Sequence, residues 1–294
     1  MWIKKGVIIE PQDNLWWMKT HAMLPTVEKV DQDLYKIFFS GRGIDNVSHI
    51  GYCLLKVKDN RLTVVKFSEE PVLSPGERGC FDDNGVTPSC LIDDKMYYIG
   101  WNSGTSTYRM SLVMGLANRS GENFVRNSRA PLFTKTDREP FGILTAPWVI
   151  KDGGEYKMWY VSGEGWISKD LPRYNIKFAS SDDGVNWQRD GLVAIDLKHN
   201  ETALARPCVI KSDEKYEMYF SFKDPRIGYR IGYAESKDGI NWERHPNACL
   251  DVSKQGWDSE MVQYSCVFKH NDTKIMLYNG NQYGKTGIGY AIEQ

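Results

Sequence analysis

Short apolar and aromatic runs recur along the chain between Gly-rich or Asp-Gly turns, and each is of β-strand length. The most regular are pairs of large side chains: Phe38-Phe39, Tyr97-Tyr98, Trp159-Tyr160, Tyr219-Phe220 and Leu277-Tyr278, separated by 59, 62, 60 and 58 residues. A period this steady marks a repeat architecture, and five copies fill the chain.

Each copy has the same internal order. A segment anchored at Pro25, Pro88, Pro147, Pro207 or Ser265, at spacings of 63, 59, 60 and 58, predicts a first strand, and the aromatic pair a second. Ile50-Gly51-Tyr52, Gly115-Leu116-Ala117, Lys177-Phe178-Ala179, Gly232-Tyr233-Ala234 and Gly289-Tyr290-Ala291 predict the third. Pro71-Val72-Leu73, Pro131-Leu132-Phe133, Leu192-Val193-Ala194 and Ala248-Cys249-Leu250 predict the fourth. The last copy has no fourth strand of its own before Gln294, but Gly6-Val7-Ile8-Ile9, ahead of the first copy, fits that pattern. Lending this N-terminal strand to the last unit removes edges that would invite aggregation. The expectation is an all-β fold: a five-bladed β-propeller with four-stranded antiparallel blades, closed by the N-terminal strand pairing into the last blade. Residues 1–294 would form one domain, with about 59 residues per blade.

Aromatic residues make up 13% of the chain, which suits strands and sugar-stacking pockets better than helical bundles. Lys and Arg (37) nearly cancel Asp and Glu (38), so the basic excess expected of a nucleic-acid partner is missing. No run approaches a membrane span, and Val7-Ile8-Ile9 is too brief for a signal peptide. Six cysteines (53, 80, 90, 208, 249, 266) lack CxxC spacing, and Cys90, Cys208 and Cys266 fall in apolar runs. This reads as reduced thiols in a cytoplasmic protein. The five histidines show no zinc-ligand spacing and no phosphate-cradling glycine loop is present, so neither metal nor cofactor is expected. Ser181-x-Asp183-Gly184 and Ser236-x-Asp238-Gly239, each followed by a Trp, resemble the Asp-boxes of sialidases. These are turn devices of the outer rim, and no trio of arginines accompanies them.

In a small propeller the first strands converge on the axis, so polar residues just before the anchors face a central funnel. Those residues are His21; Asp82 and Asp83; Glu201 and Arg206; and Asp258 and Glu260, whereas the stretch before Thr145 has no acid nearer than Glu139. Asp83, Glu201 and Glu260 stand at matching depth, five or six residues before their anchors. Facing carboxylates are what glycoside cleavage needs, one protonated and one ionised. Strand alternation favours Asp83 over Asp82 for the funnel, and Glu260 lies nearer its anchor than Asp258. Second strands end at the same mouth with Arg42, Trp101, Trp166, Asn279 and Asn281. Arg42 and Arg206 suit a carboxylate or phosphate, or neutralise the acids. The tryptophans suit a sugar face and the asparagines its hydroxyls.

With Thr87-Pro88-Ser89, Ala146-Pro147-Trp148 and Ala205-Arg206-Pro207 as anchors, the chain resembles the five-bladed propeller glycosidases, family 43 and its relatives 32, 62, 68 and 130. It is most similar to an uncharacterised bacterial group associated with surface-polysaccharide biosynthesis. Phe81-Asp82-Asp83-Asn84-Gly85-Val86, Gly256-Trp257-Asp258-Ser259-Glu260-Met261 and Tyr278-Asn279-Gly280-Asn281 carry that similarity. The resemblance implies a glycosidase acting on a small saccharide or nucleotide sugar, with Glu260 as general acid, Asp83 as base or nucleophile and Glu201 tuning pKa or binding hydroxyls. His21, Arg42, Asp82, Trp101, Trp166, Arg206, Asp258, Asn279 and Asn281 would bind the substrate. His21 stands where family 43 has its first-blade Asp, and no acid lies near Thr145 where its third-blade Asp belongs. A phosphorylase or glycosyltransferase, or a binding propeller without turnover, are the alternatives.

Overall fold

The computed structural model describes residues 1–104 and 111–294. After β1 (Trp2–Ile9), the chain runs through successive antiparallel meanders. The first holds β2 (His21–Lys29), β3 (Leu34–Arg42), β4 (Ser48–Lys58) and β5 (Arg61–Phe67). The second holds β6 (Gly85–Ile92), β7 (Lys95–Asn102), β8 (Ser111–Ser120) and β9 (Asn123–Arg126). Next come β10 (Ile143–Asp152), β11 (Glu155–Ser168), β12 (Leu171–Ser181) and β13 (Val193–Ile195). The fourth holds β14 (Ala203–Lys211), β15 (Tyr216–Asp224), β16 (Gly228–Ser236) and β17 (Glu243–Arg244). Finally β18 (Gln263–His270), β19 (Thr273–Asn279) and β20 (Ile288–Glu293) take β1 as their outer partner, with Trp2 opposite Glu293 and Val7 opposite Gly289. The predicted N-terminal pairing is therefore present.

The ladders do not continue around a ring. β1, β20, β19 and β18 form one sheet, and the other strands form a second, its meanders joined by short parallel bridges such as Ser48 to Gly85 and Tyr174 to Ala203. Side chains bridge the seam instead: Asn279 on β19 accepts the Leu24 N–H at 2.9 Å and donates to the Ala22 carbonyl at 2.7 Å. Among the described residues, no helix is long and apolar enough to cross a membrane.

Burial follows position in the meander. In the second strands both faces are covered, so β3 reads Ile37-Phe38-Phe39 without alternation, whereas outer β5 alternates exposed Arg61, buried Leu62 and exposed Thr63. The fourth strands correct the sequence expectation. Only Val193–Ile195 falls where Leu192-Val193-Ala194 was predicted; β5, β9 and β17 lie upstream of the predicted segments. Leu73 and Leu250 then bridge back to Ile50 and Ile231 farther along the same edge. At 11 residues, β4 is long enough to carry two outer segments, which explains why the apolar one was mistaken for the whole.

The third-strand glycines have a steric cause. Trp17 lies on Gly51, Tyr98 on Gly115, Phe220 on Gly232 and Trp257 on Gly289, leaving no room for a Cβ at any of the four. Gly51→Ala is expected to cost about 1–3 kcal/mol through overpacking against the wholly buried Trp17, read from urea unfolding. The Asp-box turns behave as predicted. Asp183 accepts N–H groups from Val185 and Asn186, Asp238 accepts those of Ile240 and Asn241, and Trp242 packs edge-on against Trp159. These N–H bonds hold both carboxyls well below the usual carboxylate range.

Candidate functional site

Each first strand is bulged at its anchor, with register shifts at Met23/Thr26, Pro88/Cys90, Thr145/Trp148, Ala205/Cys208 and Gln263/Cys266. Leu24, Ala146, Arg206 and Tyr264 accordingly sit in the left-handed region, at φ of 51°, 48°, 50° and 57°. Such conformations are costly for non-glycine residues and need support from the surrounding structure. The bulges set the residue before each anchor, Leu24, Thr87, Ala146, Arg206 and Tyr264, into the wall of one cavity of about 330 Å³. Arg42, Ser48, Trp101, Thr145, Tyr174 and Tyr283 also line it. That volume is at the small end of ligand pockets, the size for a small saccharide.

The pocket wall carries two arginines, several hydroxyls and aromatic rings, and no Asp or Glu among its described residues. Arg206 is wholly buried. One Nη donates to the Ser89 carbonyl at 2.5 Å and the other to the Pro25 carbonyl at 2.6 Å, while the guanidinium lies 5.7 Å from the Trp148 ring. One side chain thus ties the first strands of four meanders together at the axis. Arg42 donates to the Asn46 amide oxygen at 3.0 Å, and burial lowers its pKa. Polar atoms that are buried without a partner among the described residues line the pocket too: Arg42 Nε, Arg206 Nε and Thr145 Oγ1. Burial raises the Tyr174 hydroxyl to about 12, so it stays a donor at neutral pH.

The expected convergence of acids is corrected by the geometry. None of Asp83, Glu201 and Glu260 lines the pocket, and no hydrogen bond joins any two of them. Glu201 is buried and gripped by both Nη groups of Arg244, one at 2.7 Å. It belongs to a repeated clasp. In four meanders a buried acid binds a basic residue from the outer edge: Asp82 with Arg126 (2.8 Å), Glu139 with Arg189 (2.6 Å), Glu201 with Arg244, and Asp258 with Lys4 (2.7 Å). Tyr98, Tyr160 and Tyr278 donate to three of these acids. In the first meander wholly buried Trp17 and Met18 fill the corresponding place against Gly41. Asp82 and Asp258, expected to bind substrate, are therefore committed to the scaffold. Their segments precede β6 and β18, so strand alternation does not govern which way they point.

Asp83 caps the Gly79 N–H at 2.8 Å and accepts from Asn102 at 2.9 Å, beside the pocket residue Trp101. Glu260 is exposed; its backbone N–H donates to Asn281 at 2.8 Å, and its carboxylate has no ion pair among the described residues. Asn279 and Asn281 spend their amides on backbone groups of the seam and of the loop before β18, which removes them as free sugar-hydroxyl partners. Trp166 packs against Ile143, Ala146 and Val161 outside the pocket wall.

His21 lies opposite Arg42 in the β2–β3 ladder, with Nδ1 2.9 Å from Thr20 Oγ1. Burial, then the charges of Arg42 and Lys285, lower its pKa from 6.5 to about 4. Above pH 6.5 the imidazole is neutral in both folded and unfolded chains; between 6.5 and 4 only the unfolded chain takes the proton, so stability falls on acidification. His21→Gln is expected to flatten the melting temperature across that window, and an unchanged slope would count against this assignment.

Thr87, Tyr174, Tyr264 and Tyr283 carry more of the wall than sequence reasoning assigned them. For Thr87 and Tyr264 the usable signal was their place immediately before an anchor, whereas Tyr174 comes from β12 and Tyr283 from the turn after β19.

No family model matches the chain. The uncharacterized proteins MT1551 and Rv1502 of two Mycobacterium tuberculosis strains are 38% and 37% identical to it, the alignments spanning 99% of this chain and 98% of each of theirs. Among solved structures, a glycoside hydrolase superposes with a TM-score of 0.74 at 18% identity, covering 99% of this chain and 91% of its own. A thermostable family-43 glycoside hydrolase gives 0.67 at 17% identity, covering 93% and 89%. β-1,2-Mannobiose phosphorylase from Listeria innocua gives 0.67 at 14%, covering 97% and 92%. The chain belongs to the family of the uncharacterized mycobacterial proteins MT1551 and Rv1502, built on the fold of the family 43-like propeller glycoside hydrolases.

Proposed function

We propose that this chain is a glycosidase-like enzyme that cleaves or transfers a glycosyl unit of a small saccharide or activated sugar, using one five-bladed propeller domain. The observation that carries the reading is the cavity of about 330 Å³ ringed by the bulged anchor residues; Asp83 is held by Asn102, next to the lining residue Trp101. Trp101 offers a face for a sugar ring and the Tyr264 hydroxyl a donor, while the Tyr174 hydroxyl is shared with that of Tyr229 at 2.8 Å. Glu260, without an ion pair among the described residues, is the general acid in this reading, and Asp83, fixed by Gly79 and Asn102, is the ionised partner. The fold neighbours include both hydrolases and a phosphorylase, so a phosphate requirement separates the two chemistries. Action on precursors inside the cell is part of the same proposal.

Glu260→Gln is expected to lower kcat by about 100-fold or more with little change in KM, the signature of a lost general acid. Unaltered turnover in that variant would remove Glu260 from the chemistry. A second reading, a saccharide-binding propeller without turnover, is favoured by the lack of any carboxylate on the described pocket wall. Saccharide binding with no turnover on activated glycosides or nucleotide sugars, with and without phosphate, would establish it in place of the first.

A further inference from the structure

The charges on the described pocket wall are unbalanced, two arginines and no carboxylate. Arg42 and Arg206 both line it, yet among the described residues every hydrogen-bond partner of either guanidinium is a neutral amide, carbonyl or hydroxyl. The Nε of each is buried without a partner among the described residues. His21 adds a neutral imidazole beside Arg42, and Lys285 is near enough to act on it electrostatically. Two carboxylates at strand ends are engaged elsewhere, Glu164 with Lys177 at 3.0 Å and Asp224 with Arg226 at 2.6 Å. An arginine held out of water without a counter-ion is expensive, and that cost is recovered when an anion arrives to take the open guanidinium donors.

We propose that the pocket selects a saccharide bearing an anionic group, the phosphate of a sugar phosphate or the carboxylate of a uronate, which the Arg42 guanidinium binds in a field reinforced by Arg206 and Lys285. This rests on the saccharide reading above and adds the substrate class. The sugar ring lies against Trp101 and the tyrosines, and the anion sits at the Arg42 side of the cavity. Tyr264, whose hydroxyl is kept protonated by burial, supplies a neutral donor beside it. The anion has no carboxylate of the pocket wall to repel it.

The test is calorimetric titration of the full chain, at matched ionic strength, with gluco-, galacto- and manno-configured neutral sugars, their 1-phosphates, their uronates, and inorganic phosphate. At least one anionic sugar is expected to bind about 10–100-fold more tightly than its neutral parent, as one charge-assisted contact confers. Whether the phosphate or the uronate series shows this gain identifies the anion. Arg42→Gln should reduce the preference to within about threefold, as should raising salt well above the physiological range. Lys285→Gln, at an exposed site, should weaken it by a smaller factor and serves if Arg42→Gln unfolds. Neutral sugars binding as tightly as anionic ones would overturn the inference and leave the saccharide reading standing. Binding of no sugar would overturn both, and inorganic phosphate binding as tightly as any sugar phosphate would overturn the claim that the pocket reads sugar and anion together.

Discussion

Arg206→Ala is expected to destabilise the fold by about 4 kcal/mol or more, because it opens a cavity at the axis and orphans buried carbonyls in the same step. The side chain is wholly buried, and its two Nη groups reach the Pro25 and Ser89 carbonyls, belonging to the first and second meanders, while its own backbone belongs to the fourth. Its planar face lies over Trp148 of the third. A large-to-small change in a packed interior costs about 2–5 kcal/mol, and each buried carbonyl left without a donor adds about 1–3 kcal/mol. Relief of the buried charge offsets part of this. Since each kcal/mol is worth about 2–4 °C in a domain near this size, the melting temperature should fall by about 10 °C. Arg206→Lys keeps the charge but loses the fork that spans two carbonyls, and should recover only part of the loss. A variant that melts within about 2 °C of the wild type would refute the axial tie.

The second large effect is expected at the clasp of the third meander. Glu139 is 1% exposed and takes Arg189 at 2.6 Å, the Tyr160 hydroxyl at 2.9 Å and the Ser162 hydroxyl at 2.8 Å. Glu139→Ala leaves a largely buried guanidinium without its counter-ion, a change that costs about 3–5 kcal/mol. Replacing both partners, as Glu139→Leu with Arg189→Met, removes the stranded charge and should restore well over half of that. Urea unfolding of the single and double variants gives the coupling directly. A double variant no more stable than Glu139→Ala would mean that the carboxylate supports packing in some way other than by holding Arg189.

The repeat was legible because the constraint that produces it is steric and periodic. The glycine of each third strand faces a ring in four of the meanders, and the anchors mark the bulges, so both recur at fixed spacing. The N-terminal pairing was legible for the same reason, since β1 has to match an outer strand. Arg42, Trp101 and Arg206 were legible from their places at strand ends and anchors, and they line the pocket. The acids were not, because Asp82, Glu201 and Asp258 lie in the segments leading into the strands, and their partners, Arg126, Arg244 and Lys4, come from outer strands about 40 residues downstream or from the far N-terminus. A buried acid with a distant arginine looks, in sequence, like a buried acid with a substrate. The positive φ at Ala146 and Tyr264 was equally hidden, as neither residue type announces a left-handed turn.

A saccharide is expected to bind in the cavity at Arg42, Trp101, Tyr174 and Tyr264. The most direct measurement is a crystal structure of the chain with the tightest-binding sugar from the titrations. Ligand density is expected between Trp101 and the tyrosines, with any anionic group against Arg42. Well-occupied density elsewhere, such as at the Asp-box rim beside Asp238, with the axial cavity holding only solvent, would contradict it.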